Sequence, residues 1–150
     1  MPKLDLASLP VRTDSGYLPP YRDAVAGRSR RAVAAAGGLA AFGANLVTLA
    51  PGAWSSQRHW HSHEDELIVM LAGEAVLVED DGETLLRPGD IATFAAGVAN
   101  GHHLQNRSSA PAMFLAIGND LPEVDETHYP DIDMHYGPAT GFRRKLPAPA

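Results

Sequence analysis

An all-β fold, closed as a barrel or a double-sheet jelly roll, is what this sequence predicts. Three observations carry that prediction. Glycine (14) and proline (12) are frequent in a chain of 150 residues, which favours short elements joined by tight turns over long helices. Between residues 39 and 118, short apolar runs recur at intervals of about 8–12 residues, with turn signals between them. Several of these runs alternate between two faces, which is the period of a strand and not of a helix.

Taken in order, residues 1–38 read as an irregular arm that packs on the barrel or on a partner subunit. Pro2, Pro10, Pro19 and Pro20 punctuate it, and Ser15-Gly16 and Ala26-Gly27 are turn signals. Arg30–Ala41 is a short strand or one turn of helix, because its alanines favour helix while Gly37-Gly38 interrupt it. Residues 39–118 form the barrel core. Its first strand runs from about Leu39 to Leu49 and ends at Pro51-Gly52, and a second spans Ser55–His61. In Glu66–Leu71, Glu66, Ile68 and Met70 share one face, while Leu67, Val69 and Leu71 share the other and also need cover. Glu74–Glu79 and Thr84–Arg87 form a hairpin around Asp80-Asp81-Gly82-Glu83. Arg87-Pro88-Gly89-Asp90 is a further turn, and Ile91–Phe94, His102–Asn106 and Ala112–Ile117 complete the strands. Residues 119–150 form a C-terminal extension in which periodicity fades around the compact run Tyr129-Pro130-Asp131-Ile132-Asp133.

A formal charge of −6 provides no basic stripe for nucleic acid. Without cysteine there are no disulfides or thiolate ligands, which fits a reducing compartment. No apolar run approaches the roughly 20 residues of a membrane span, and no secretory signal pattern opens the chain. These features lead us to expect a cytoplasmic protein without nucleic-acid or membrane partners.

The chemistry concentrates in His59, His61, Glu66 and His102. In an extended strand, positions i and i+2 leave the same face about 6–7 Å apart, so His59 and His61 can lean toward one point. Glu66 has the opposite parity and returns after the turn Ser62-His63-Glu64-Asp65. Three imidazoles and a carboxylate suit a divalent transition metal such as iron, manganese, zinc or nickel. A carboxylate buried among Ile68, Met70 and Leu104 without a counter-charge would cost several kcal/mol. If strand parity holds, Gln57, Met70 and Leu104 line the same interior and are the candidate substrate contacts, with Gln57 placed to donate to a ligand. His63, Glu64 and Asp65 read as a solvated turn, and His103, His128 and His135 as surface histidines. No catalytic residue beyond the ligands stands out.

These residues resemble the cupin superfamily. Gly52, His59, His61, Glu66 and Gly73 fit its first motif, with one extra residue between Gly52 and His59. Gly89, Gly97, His102 and Asn106 fit the second, with Ala95 in place of a proline. Counted from Gly97, the ligand position falls on Asn100; counted back from Asn106, it falls on His102. We prefer His102 to Asn100 or His103 because imidazole is the better donor and His102 shares a face with Leu104. The resemblance implies a conical jelly-roll barrel (the double-stranded β-helix), a metal in its interior and a homodimer. The expected function is that of a metal-dependent enzyme acting on a small organic molecule. Dioxygenase-type chemistry is the first choice, and isomerase or lyase chemistry the next. The alternative is a non-catalytic module that binds or senses a small molecule through the same metal.

Overall fold

The computed structural model describes residues 2–145, so the first residue of the arm and residues 146–150 of the C-terminal extension lie outside it. The chain is built of antiparallel strands. After two 3-10 turns at Leu6–Ser8 and Asp23–Val25 come β1 (Arg28–Ala32), the single helical turn α1 (Val33–Ala36) and β2 (Phe42–Leu49). Arg30–Ala41 thus holds the end of a strand and a turn of helix. The alanines support the turn, and Gly38 at φ 74° helps to end it. Next come β3 (Trp60–His61), β4 (Glu66–Ala72), β5 (Ala75–Glu79), β6 (Gly82–Leu86), β7 (Ile91–Phe94), β8 (His103–Gln105) and β9 (Ala112–Asn119). Three short strands finish the described chain: β10 (Thr127–His128), β11 (His135–Gly137) and β12 (Gly141–Arg143).

The strands form a five-stranded sheet, β1-β2-β9-β4-β7, a three-stranded sheet, β6-β5-β8, and a four-stranded sheet, β12-β11-β10-β3. Val47, Phe114 and Met70 lie in register across β2, β9 and β4, and all three are buried. They meet Ala75, Leu77, Leu86 and Leu104 of the three-stranded sheet in one core cluster. This is the jelly-roll sandwich that the alternating runs predict. In β4 the parity holds as far as Leu71, which faces outward and is 45% exposed. A register shift between Met70 and Ala72 ends the alternation, leaving Ala72 exposed as well.

Three expectations need correction. Ser55–His61 is not one strand: only Trp60–His61 pairs regularly, with isolated bridges at Trp54 and His59. Its polar groups are bound elsewhere, Ser55 N–H by Leu104 O at 2.8 Å and Gln57 N–H by the Tyr17 hydroxyl at 3.2 Å. The β5–β6 hairpin turns on Asp80-Asp81, one residue earlier than the Asp-Gly pair suggests, because Gly82 at φ 138° already pairs with Glu79. The stretch after Gly118 contains β10 to β12, and β10 pairs with β3. There Tyr17, Val25, Tyr129 and Met134 form a second core cluster that ties the N-terminal arm to the C-terminal segment.

Candidate functional site

Two separate stretches of chain bring their histidines together through the backbone. His59 N–H donates to His102 O at 3.2 Å, and His102 N–H donates to His59 O at 2.9 Å, so the two residues are direct cross-strand partners. Beside them, Gly101 leaves room for the side chains of Pro130 and Arg58. A Cβ there would stand 2.8 Å from Pro130 Cγ and 3.0 Å from an Arg58 nitrogen. Arg58 in turn holds Asp131 with two bonds of 2.7 and 2.8 Å, donates to Gly101 O at 2.9 Å and pairs with Asp80. These contacts raise its pKa further and tie the loop before His102 to the C-terminal segment.

Glu66 opens β4 and is paired with Phe94 of β7 and Gly118 of β9. Its Oε2 lies 2.8 Å from His102 Nε2, 3.8 Å from His59 Nε2 and 3.9 Å from His61 Nε2. The His59 and His61 rings meet edge to face at 4.9 Å, and Phe94 stacks flat on His102 at 3.6 Å. Each imidazole has its other nitrogen committed to an oxygen. His59 Nδ1 is 2.8 Å from Gln57 O, His61 Nδ1 is 2.8 Å from Asp125 Oδ2, and His102 Nδ1 is 3.2 Å from Asn100 O. Since a carbonyl or carboxylate oxygen can only accept, Nδ1 of His59 and of His61 carries the proton and Nε2 presents a lone pair toward Glu66. His102 Nε2 donates to Glu66 Oε2 and would give up that proton on binding a metal. Two lone pairs, those of His59 and His61 at 3.8 and 3.9 Å, face the same carboxylate and repel it unless a cation sits among them. The donor set therefore fits a divalent metal, with its orienting partners already in place.

Burial pushes the His59 imidazole down to about 4. For Glu66, burial alone would raise the carboxyl, but the His102 hydrogen bond and the neighbouring imidazoles outweigh it and hold the group at about 2. At neutral pH this leaves a neutral imidazole and a charged carboxylate, the forms that ligate metal.

The remaining residues singled out from the sequence fall into place as follows. Asn100 uses its side chain elsewhere, accepting from Asp80 N–H at 3.0 Å and donating to Glu79 at 3.0 Å. His103 is 4% exposed and His135 is 7% exposed, so neither is a surface histidine. His103 packs edge to face on Trp54 and donates to Ser56 O at 2.8 Å. Gln57 contributes its main-chain oxygen to His59, while its side-chain amide donates to Tyr21 O at 2.9 Å. Met70 and Leu104 are fully buried in the core cluster and behave as packing residues. Asp125 is the residue that sequence reasoning missed. It is 5% exposed, binds His61, and also accepts from His63 N–H at 2.9 Å and Glu64 N–H at 3.1 Å. Its only local signal was a carboxylate in an extension without periodicity.

Of the cavities that border the site, two reach His59. One, of about 470 Å³, is bordered by His59, His61, Glu64, Asp125, Tyr17 and Tyr129. The other, of about 310 Å³, runs from His59 and Glu66 to β1. Glu64, read from sequence as part of a solvated turn, is half-buried here. Its carboxyl is raised by burial, and Oε1 accepts from Leu121 N–H at 2.9 Å. Among the described residues, a further group of metal-type donors, Glu126, His128 and His135, comes together around β10 and β11.

A family profile described as the cupin domain matches residues 45–118, which contain all four converging residues. A solved sugar phosphate isomerase of the cupin superfamily from Silicibacter pomeroyi DSS-3 is 46% identical. That match covers 96% of this chain and 93% of that one, with a TM-score of 0.90. This chain is a cupin. A provisionally assigned sugar phosphate isomerase from Acidithiobacillus ferrooxidans shares the fold at 23% identity, covering 82% of this cupin and 81% of that chain with a TM-score of 0.72. The polyketide cyclase RemF from Streptomyces resistomycificus shares it at 16% identity, covering 79% of each chain with a TM-score of 0.65. No curated protein matches this cupin. Among its described residues, no helix is long and apolar enough to cross a membrane.

Proposed function

We propose that this cupin is a divalent-metal-dependent isomerase of a small hydroxy-carbonyl compound of the sugar phosphate class. The observation that carries the proposal is the convergence of three Nε2 atoms on Glu66, each with an acceptor behind its ring. His59, His61, Glu66 and His102 are the proposed ligands. A metal bound there supplies Lewis acidity toward a substrate oxygen and increases the acidity of the adjacent C–H. Among the chemistries the sequence allowed, we place isomerisation ahead of dioxygenation because the 46% identical structure is named a sugar phosphate isomerase.

In this proposal Glu64 takes the substrate proton. It borders the same cavity as His59 and His61, with one carboxylate oxygen anchored by Leu121 N–H and the other 3.7 Å from His61 Nδ1. Tyr129 is buried against Tyr17, and its phenol is raised, so it keeps its proton and can donate to a substrate oxygen from beside His59. We also propose a homodimer acting in the cytoplasm, with the dimer covering the apolar outer face around Leu67, Ile117 and Phe42. Light scattering after size exclusion tests the dimer.

The decisive measurement is solvent deuterium incorporation by NMR into a panel of aldose and ketose phosphates, alongside metal analysis. We expect exchange with the purified protein. His61→Ala should lose both metal and exchange, and Glu64→Gln should lose exchange while keeping metal. Metal binding without exchange, or oxygen uptake by the iron-loaded protein in its place, overturns the isomerase assignment.

A further inference from the structure

The cavity of about 310 Å³ has a second charged end. Arg28 and Arg30, two residues apart on β1, leave the same face of the strand and border this cavity together with His59 and Glu66. Arg31, of opposite parity, serves the other face. Between the two ends of the cavity lie three strand spacings of the five-stranded sheet, about 14 Å across the strands, and Glu66 stands four residues along β4 from Met70, the residue in register with Arg30. Asn45 and Val47 of β2 and Phe114 and Ala116 of β9 form the floor between them. The arginine and glutamate side chains shorten that span from both ends, leaving room for a short carbon chain.

The bonding of these arginines is incomplete. Arg28 donates to two main-chain oxygens, Ser55 O at 2.8 Å and Asp14 O at 3.3 Å, and makes no carboxylate ion pair among the described residues. Its Nε is buried without an acceptor. Burial also lowers its pKa, which marks the charge as under-compensated. Arg30 meets Asp14 twice, at the main-chain oxygen (3.1 Å) and at the carboxylate (3.3 Å), and that carboxylate is exposed and shared with Arg12. Holding a half-buried guanidinium without a counter-ion weakens the fold unless an anion completes it. A guanidinium fork matches phosphate oxygens in geometry and charge.

We propose that Arg28 and Arg30 form the seat for the phosphate group of the substrate, with the reacting carbons directed toward His59 and Glu66. The proposal rests on the reading of the site given above and assigns to β1 the selection of phosphorylated over neutral sugars. Asp14, on the arm segment beside the cavity, is the carboxylate that the phosphate displaces from Arg30.

Calorimetric titration of the protein with its metal tests the seat, with inorganic phosphate and glycerol 3-phosphate as probes and glycerol as the neutral control. Both phosphates should bind and glycerol should not. Arg28→Met and Arg30→Met should each weaken phosphate binding about tenfold or more, with metal content unchanged. Arg28→Lys should retain part of the affinity. Arg28 has a buried nitrogen without an acceptor and Arg30 does not, so Arg30→Met decides the matter if Arg28→Met fails to fold. His61→Ala should lose metal yet still bind phosphate. Arginine-dependent phosphate binding without any isomerisation would leave the seat standing and remove the isomerase. No phosphate binding, equal binding in the arginine variants, or binding lost only in His61→Ala would overturn the seat.

Discussion

Replacing Asp125 with asparagine separates metal-site organisation from folding. In the native structure Asp125 Oδ2 accepts from His61 Nδ1 at 2.8 Å, and Oδ1 accepts from the N–H groups of His63 and Glu64 at 2.9 and 3.1 Å. Asparagine keeps one acceptor oxygen for the two main-chain donors, so the turn stays tied. Losing the charge weakens those bonds, at a cost of about 1 kcal/mol in stability. Opposite His61, however, the amide presents N–H groups, which cannot accept. The imidazole then moves its proton to Nε2 or swings away, and either change removes one lone pair from the metal site. Loss of such an orienting partner costs about 10–100-fold in metal affinity, or roughly 1.4–2.7 kcal/mol. Asp125→Ala also strips both N–H groups of their acceptor and should destabilise the fold by about 3 kcal/mol or more. Chelator competition measures the affinity, and urea unfolding of the apo protein measures the stability. If Asp125→Asn binds zinc as tightly as the wild type, the argument from Nδ1 partners to Nε2 donors is wrong.

Acid should destabilise the apo protein. His59 sits at about 4 against an ordinary value of 6.5, and Glu66 at about 2 against 4.5, so over each window the unfolded chain binds the extra proton. The His59 contribution is therefore complete above pH 6.5 and lost as pH falls toward 4, and that of Glu66 is lost between 4.5 and 2. Urea midpoints should fall over the first window, and His59→Gln should flatten that slope. Asn106→Ala should cost about 3 kcal/mol in urea unfolding. That side chain is 1% exposed, donates to Leu49 O and Ala110 O, and accepts from both Ser108 N–H and Ser108 Oγ. Met70→Ala and Leu104→Ala should each cost about 2–5 kcal/mol and leave metal affinity unchanged, as packing residues do. A rise in substrate KM without loss of stability would return them to the binding surface. Gly118→Ala, whose Cβ would stand 2.6 Å from Asp65 O, should push β4 and β9 apart beside Glu66 and lower both thermal stability and metal retention.

Much of the architecture follows from short-range rules that any stretch of this chain obeys. The alternation Glu66, Ile68, Met70 fixes a face of β4 because strand periodicity is a property of the backbone. Glycine and proline punctuation sets the turns to within a residue, as at Asp80-Asp81. The histidine-and-glutamate pattern points to a metal for a similar reason, since ligand types and their spacing are readable along the chain. Where side-chain oxygens and distant segments compete for the backbone, as in residues 55–58, the strand expectation fails.

By itself, then, the sequence determined an all-β sandwich and the inward faces of its central strands, and it singled out the side chains proposed as metal ligands. Only the tertiary structure decided which atoms of those side chains face the centre. The Nδ1 partners of His59 and His102 are carbonyls within two residues, but that of His61 is Asp125, brought in by β10 pairing with β3. The tertiary structure also set Arg28 and Arg30 against the same cavity as Glu66, across four strands that are not consecutive in the chain. Strand order and hydrogen-bond partnership depend on contacts between residues far apart in sequence, and local propensity and period carry no record of them.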